Sequence, residues 1–111
     1  MRFVREGIVV TPFPFSGATG EKPRPALVLA SWSYAGDTDY LLCMIISQQA
    51  DEPYIIALDI ADIENGSLRR KSYLRPSYMF AVSERRISRK LGSLTSDKLE
   101  LTIEIIKGIL E

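Results

Sequence analysis

The apolar residues of this chain fall into short runs that are separated by turn-forming residues. β-Branched, leucine and aromatic residues dominate the runs, and glycine, proline and small polar residues lie between them. This pattern predicts several short strands that form an antiparallel barrel or a strongly curved sheet. We expect strands at residues 8–11, 26–30, 40–46, 54–58 and 77–82.

The run at residues 40–46 has no polar side chain between Tyr40 and Ile46, apart from the thiol of Cys43. Such a run is typical of a strand that is covered on both faces. Cys43 is the only cysteine of the chain, so it cannot form an intrachain disulfide, and we expect a small buried hydrophobic residue in a reducing compartment.

The last segment changes from strand to helix periodicity. It begins at Thr95 with good capping residues, and apolar side chains then recur at helical spacing from Leu99 to Leu110. This helix is more apolar than one barrel face requires, and two explanations remain open: deep packing within its own domain, or cover by a second subunit. The predicted fold is therefore mainly β with a C-terminal α-helix.

With 111 residues and 46% hydrophobic composition, residues 1–111 are expected to form a single domain. The N-terminal apolar run soon meets Pro12 and Pro14, which makes it too short for a signal peptide core or a membrane span. We therefore expect a cytoplasmic protein with no membrane partner.

Fourteen basic and fourteen acidic side chains cancel, so the chain has no global positive field and any nucleic-acid site must be local. The basic residues nevertheless gather in two clusters, for which the pattern alone favours solvated loops. The clusters are Arg69, Arg70, Lys71 and Arg75, and Arg85, Arg86, Arg89 and Lys90.

The absence of histidine limits the chemistry that this chain can perform. It removes the usual general base at neutral pH and histidine metal sites, and a single cysteine excludes a thiolate zinc site. Phosphate-binding glycine motifs are also missing, and the acidic residues are scattered over turns, so we expect no metal and no cofactor. RNA cleavage remains possible because the 2'-hydroxyl supplies the nucleophile, but binding modules without chemistry are equally compatible.

Five segments occur in order over nearly the whole chain: residues 8–15, 22–29, 45–47, 74–78 and 91–94. The most specific combination is the Pro-Phe-Pro-Phe sequence of the first segment, followed by Arg24-Pro25 and a Val/Leu strand. Together the segments resemble the MazF/PemK toxin family. The resemblance implies an SH3-like barrel of the CcdB/MazF type and a homodimer that a cognate antitoxin peptide neutralises. It further implies a type II toxin that cleaves single-stranded RNA without a metal and leaves a 2',3'-cyclic phosphate.

Arg24 matches the catalytic arginine of the family, and Ser47 matches a Ser or Thr whose hydroxyl can bind a phosphate oxygen. Without the resemblance, Arg24 would be an exposed loop arginine at the start of a strand, and Ser47 a hydroxyl that ends a strand. The expected RNA-binding residues are Lys22, Arg75, Ser77 and Tyr78, with Tyr78 as the best candidate to stack on a base.

One departure concerns the position after the Ser-Tyr pair, where many family members have a basic residue and this chain has Met79-Phe80. If that basic residue normally binds a phosphate, Arg75 or Arg85 would have to replace it. The alternative function is a non-catalytic binding protein on the same fold, either a CcdB-like gyrase inhibitor or a degenerate toxin that binds only antitoxin.

Overall fold

The structure, a computed structural model, describes residues 3–13 and 22–111. Within this part of the chain it contains seven strands, one α-helix and two short 3-10 helices at Ile60–Asp62 and Glu84–Arg86. The strands are β1 (Gly7–Phe13), β2 (Lys22–Tyr34), β3 (Asp37–Ile46), β4 (Ile56–Leu58), β5 (Ile63–Glu64), β6 (Ser72–Ser83) and β7 (Arg89–Leu94), and the helix is α1 (Ser96–Leu110).

The strands form one antiparallel sheet in the order β4-β6-β3-β2-β1-β7-β5. The two outer strands are linked by residues 59–62 alone, so five peptide steps of at most about 3.6 Å keep these edges within roughly 18 Å. The sheet therefore curls into a nearly closed barrel, followed by a single C-terminal helix. This architecture confirms the predicted fold class.

Both faces of the central strands are buried. Successive side chains of a strand point to opposite faces of the sheet. In β2 and β3 they therefore enter two separate apolar clusters in alternation. Leu27, Leu29, Cys43 and Ile45 belong to the first cluster, and Ala26, Val28, Leu42 and Met44 to the second. The prediction that residues 40–46 form a strand covered on both faces is confirmed.

The helix α1 covers the first cluster with one face. Leu99 and Ile106 are buried in that cluster, and Thr102 between them is fully buried. Leu101 and Leu110 point outwards and are 47% and 74% exposed. Deep packing therefore accounts for one face of the helix and leaves large apolar side chains on the other. No helix of the described residues is long and apolar enough to cross a membrane.

Several strands extend beyond the predicted bounds. β1 continues through Pro12 to Phe13, because Pro12 lies opposite Pro23 and neither residue has an N–H to leave unpaired. β2 begins at Lys22 rather than at residue 26, so Arg24 lies within a strand and not at its junction with a loop. The predicted strand at 77–82 is the second half of β6.

Two strands were not predicted at all. β5 has only two residues, and β7 begins with Arg89 and Lys90 and includes Gly92, so neither has an alternating apolar pattern. Pairing with other strands creates them: β7 pairs with β1, and β5 pairs with β7. Strands of this kind depend on tertiary contacts rather than on local propensity.

Candidate functional site

Arg24 and Ser47 lie at the same end of neighbouring strands. Arg24 is the third residue of β2, and Ser47 follows Ile46, the last residue of β3. β2 and β3 are antiparallel with Ala26 opposite Met44, so the beginning of β2 lies beside the end of β3. Strand pairing therefore brings the two predicted catalytic residues to one place.

Both residues line a surface pocket of about 410 Å³. This volume lies within the range of about 300–1,000 Å³ that is usual for ligand pockets. One wall comes from β1, β2 and the residue after β3, and a second wall comes from the β5–β6 loop, the first residue of β6 and β7, which pairs with β1. The lining residues are Val10, Pro23, Arg24, Pro25, Ser47, Ser67, Leu68, Arg69, Arg70, Ser72, Arg89 and Leu91. We call this cavity the arginine pocket.

The arginine pocket is lined by four arginines and three serines, with no acidic residue among the described lining. Arg24, Arg69, Arg70 and Arg89 are all exposed, and none forms a salt bridge with a described acidic side chain. Their charges therefore add to a local positive potential. Guanidinium groups and hydroxyls match the oxygens of a phosphate, so the pocket is suited to a phosphate-bearing ligand.

Three of these arginines were not among the predicted site residues. Arg69, Arg70 and Arg89 belong to the basic clusters that the sequence pattern favoured as solvated loops, and they are indeed exposed. The fold separates them from Arg85 of the same clusters, which forms a salt bridge of 2.9 Å with Asp37. Charge clustering was the only sequence signal for them, and it could not tell which members would meet Arg24.

The β5–β6 loop is held against β7 by a close backbone contact at Gly66. A Cβ atom on Gly66 would lie 1.8 Å from the carbonyl oxygen of Leu91, and the φ of Gly66 is +158°. A side chain is therefore excluded for steric as well as conformational reasons. This contact keeps Arg69 and Arg70 on the same side of the barrel as Arg89.

The predicted RNA-binding residues Arg75, Ser77 and Tyr78 lie on β6, outside the arginine pocket. Cys43 of β3 is opposite Met79, while the next residue of β3 is opposite Arg75, so residues 76–78 bulge out of the ladder. The Arg75 guanidinium lies 5.4 Å from the centre of the Tyr78 ring, which is a cation–π distance. The structure therefore brings these three residues together, but not with Arg24 and Ser47.

Glu52, on the loop between β3 and β4, binds this bulge. Arg75 donates from Nε and from one terminal nitrogen to the two Glu52 carboxylate oxygens, each at 2.8 Å, and Ser77 Oγ donates to the same carboxylate at 2.8 Å. The hydrogen bond from Arg75, followed by that from Ser77, lowers the pKa of Glu52 below its ordinary value. The same hydrogen bond raises the pKa of Arg75.

Lys22 and Phe80 occupy other positions near the site. Lys22 is exposed at the start of β2, opposite Phe13, and its side chain leaves the strand on the same face as that of Arg24. Phe80 packs edge-on against Phe13 with ring centres 5.0 Å apart and against Tyr78 at 6.4 Å. Phe80 thus fills an aromatic cluster, while Arg69, Arg70 and Arg89 supply positive charge from elsewhere in the fold.

Among residues 3–13 and 22–111, no three cysteine, aspartate or glutamate side chains are grouped where they could hold a metal ion. Residues 14–21, which include Pro14 and Phe15 of the Pro-Phe-Pro-Phe sequence, lie outside the described residues.

Comparison with known proteins agrees with the fold. Residues 5–110 match the family model described as PemK-like, MazF-like toxin of type II toxin-antitoxin system. The chain therefore belongs to this family of toxins. Its fold is similar to that of a solved structure from a mycobacterial species, described as an endoribonuclease in complex with its cognate antitoxin. The TM-score is 0.66 at 13% sequence identity, and the match covers 96% of this chain and 95% of the other. No curated protein sequence matches this chain significantly.

Proposed function

We propose that this toxin is an endoribonuclease that cleaves single-stranded RNA without a divalent metal ion. The observation that carries the proposal is the meeting of Arg24 and Ser47 in one pocket that is lined by four arginines and no described acid. Family membership and the similarity in fold to a structure described as an endoribonuclease support the same activity.

In the proposed reaction, the 2'-oxygen of the nucleotide 5' to the cut attacks the adjacent phosphorus. The 2'-oxygen to phosphorus bond forms, the phosphorus to 5'-oxygen bond breaks, the 2'-hydroxyl loses its proton and the leaving 5'-oxygen gains one. The products are a 2',3'-cyclic phosphate and a 5'-hydroxyl. The chain has no histidine and the described pocket lining has no carboxylate. Electrostatic stabilisation of the transition state is therefore the contribution that Arg24 and Ser47 support best.

Arg24 and Ser47 have different roles in this mechanism. The Arg24 guanidinium binds the oxygens of the transferring phosphate and stabilises the charge that they carry in the transition state. The Ser47 hydroxyl donates a neutral hydrogen bond to a phosphate oxygen and helps to hold the phosphate in line.

The proposal is tested by incubating the purified protein with total RNA in EDTA and analysing the ends of the fragments. We expect 5'-hydroxyl ends that a polynucleotide kinase labels directly, and 2',3'-cyclic phosphates at the other ends. Arg24→Ala protein, purified in parallel, controls for contaminating nucleases. Strict loss of activity in EDTA would refute metal independence, and cutting beside a 2'-deoxy residue would refute attack by the 2'-hydroxyl.

We further propose that the toxin is a homodimer that a cognate antitoxin peptide neutralises. The exposed Leu101 and Leu110 of α1 provide apolar surface for a second copy. Light scattering at micromolar concentration is expected to give twice the chain mass. A monomer that does not change with concentration would overturn the dimer.

The alternative of a non-catalytic binding protein on this fold rests on Phe80, which stands where many family members have a basic residue. Because three arginines from the second wall reach the same pocket as Arg24, this replacement does not leave the site without positive charge. Intact total RNA after incubation, together with normal binding of a cognate antitoxin, would favour the alternative.

A further inference from the structure

The β5–β6 loop separates two cavities. On one side lies the arginine pocket, and on the other a cavity of about 590 Å³ that is bounded by β4, the following 3-10 helix and β5. Arg69 and Arg70 line both cavities. The two side chains therefore border open surface on each side of the loop.

The positive charge of the arginine pocket exceeds what one phosphate neutralises. A scissile phosphodiester brings a single negative charge, whereas Arg24, Arg69, Arg70 and Arg89 bring four positive charges without a described acidic partner. Arg24 stands on the first wall with Ser47, Arg69 and Arg70 stand on the β5–β6 loop, and Arg89 stands on β7. Repulsion among guanidinium ions is relieved when further anions bind beside the first.

The geometry points to a second phosphate subsite, formed by Arg69, Arg70 and Arg89, that binds a backbone phosphate of the same RNA strand next to the phosphate held by Arg24. The inference rests on the proposed function. Each arginine can donate two parallel hydrogen bonds to phosphate oxygens, and Ser67 on the same wall adds a hydroxyl. The subsite binds the backbone, so it contributes affinity and register rather than base specificity.

A single-stranded nucleic acid suits this wall better than an acidic protein segment. Beside Leu68 and Leu91, this wall carries three arginines and two serines. A docked peptide requires apolar anchors to bind tightly, whereas a phosphate backbone requires closely spaced cations.

The test compares Arg69→Ala/Arg70→Ala and Arg89→Ala with Lys71→Ala. Lys71 follows Arg70 in the same loop and carries the same charge, but it does not line the arginine pocket and pairs with Asp59 at 3.3 Å. The probe is a labelled 2'-O-methyl oligonucleotide of randomised sequence, which cannot be cleaved by attack of the 2'-hydroxyl. Fluorescence anisotropy gives its Kd as a function of salt concentration, and thermal unfolding confirms that each variant is folded.

We expect the double variant to bind the probe about tenfold more weakly than the parent. The slope of log Kd against log salt is expected to fall by about 0.7 for each arginine that is lost, as for phosphate contacts to a single strand. Lys71→Ala should keep the parent slope. On an RNA that the parent cuts, the double variant should raise KM by a larger factor than it lowers kcat, because the subsite binds a phosphate that does not react.

The outcomes separate the subsite from the cleavage chemistry. If the parent does not cut RNA but the slope still falls in the arginine variants, the subsite stands as a nucleic-acid site and the proposed chemistry fails. If the parent cuts RNA and the double variant binds and cuts equally well, the subsite is overturned. Unchanged oligonucleotide binding with lost binding of polyglutamate would also overturn it and assign the wall to an acidic protein. Arg69→Gln/Arg70→Gln serves as a second variant if the alanine pair unfolds.

Discussion

Glu52 and Arg75 form a two-point ion pair in which both carboxylate oxygens accept hydrogen bonds of 2.8 Å from one guanidinium group. The pair ties the β3–β4 loop, which starts at Ser47, to the bulge of β6. The same carboxylate also accepts a hydrogen bond from Ser77. Two predicted RNA-binding residues are thus already bound by an internal anion.

This arrangement predicts a pH-dependent stability. In the folded state the pKa of Glu52 is lowered from its ordinary value of 4.5. The ionised carboxylate therefore stabilises the fold fully above pH 4.5, and this stabilisation is lost as the pH falls through the lowered pKa. Glu52→Gln should therefore melt below the parent at neutral pH, and the difference should shrink on acidification below 4.5. Thermal unfolding across this range measures the effect.

A double-variant cycle with Arg75→Met provides the control. The ion pair is absent in either single variant. The combination Glu52→Gln/Arg75→Met should therefore show no additional pH-dependent loss of thermal stability. Strictly additive effects of the two substitutions would mean that the ion pair contributes nothing in solution.

Arg24→Ala should abolish most of the cleavage activity and leave the fold intact. Its side chain is exposed, so we expect a change in the free energy of unfolding within about 0.5 kcal/mol. Loss of a preorganised charged donor typically costs about 2.7–4 kcal/mol of barrier, or roughly a hundredfold to a thousandfold in rate. Cleavage rate and thermal unfolding are measured together.

Two matched variants make the Arg24 prediction sharper. Arg24→Lys keeps the charge but loses the planar fork, so it should recover only part of the rate. Ser47→Ala removes a neutral hydroxyl and should lower the rate less than Arg24→Ala. If Arg24→Ala melts many degrees earlier, the residue is structural. Normal melting with the parent rate would refute catalysis by this arginine.

Gly66→Ala should displace the β5–β6 loop from β7. The added Cβ would lie 1.8 Å from the Leu91 carbonyl oxygen, so the backbone itself must move, at a cost of about 2–4 kcal/mol. Because the displaced loop carries Arg69 and Arg70, oligonucleotide binding should weaken as well. Denaturant unfolding and anisotropy measure the two effects.

Gly36→Ala controls for backbone conformation alone. Gly36 has a φ of +82°, and no atom lies within 4 Å of the position that an added Cβ would take, so its substitution should cost only about 1 kcal/mol. Equal losses for the two variants would show that steric contact with Leu91 does not hold the loop.

Cys43 should not react with thiol reagents in the native protein. It is fully buried in β3, and burial raises its pKa to about 12. A disulfide reagent at neutral pH should therefore modify it only after denaturant is added. Stoichiometric labelling of the native protein within minutes would show that β3 is not buried on both faces in solution.

The sequence determined the features that depend on local pattern. The apolar run from Tyr40 to Ile46 predicted a strand buried on both faces, and the periodicity after Thr95 predicted the helix, because side-chain spacing reflects secondary structure directly. The family resemblance on Arg24-Pro25 and the other matched segments also came from sequence alone. The roles of Arg24, Ser47 and the RNA-binding residues remain predictions.

Only the tertiary structure decided which charges share a site. In sequence, Arg69, Arg70, Arg85 and Arg89 are equivalent members of two basic clusters. Strand pairing of β7 with β1 and β5, together with the contact at Gly66, places three of them around the arginine pocket and leaves Arg85 with Asp37. These pairings join residues far apart in the chain, and β7 has too little apolar alternation to be predicted as a strand from the sequence. Local pattern carries no information about such contacts, because they depend on how the whole sheet closes.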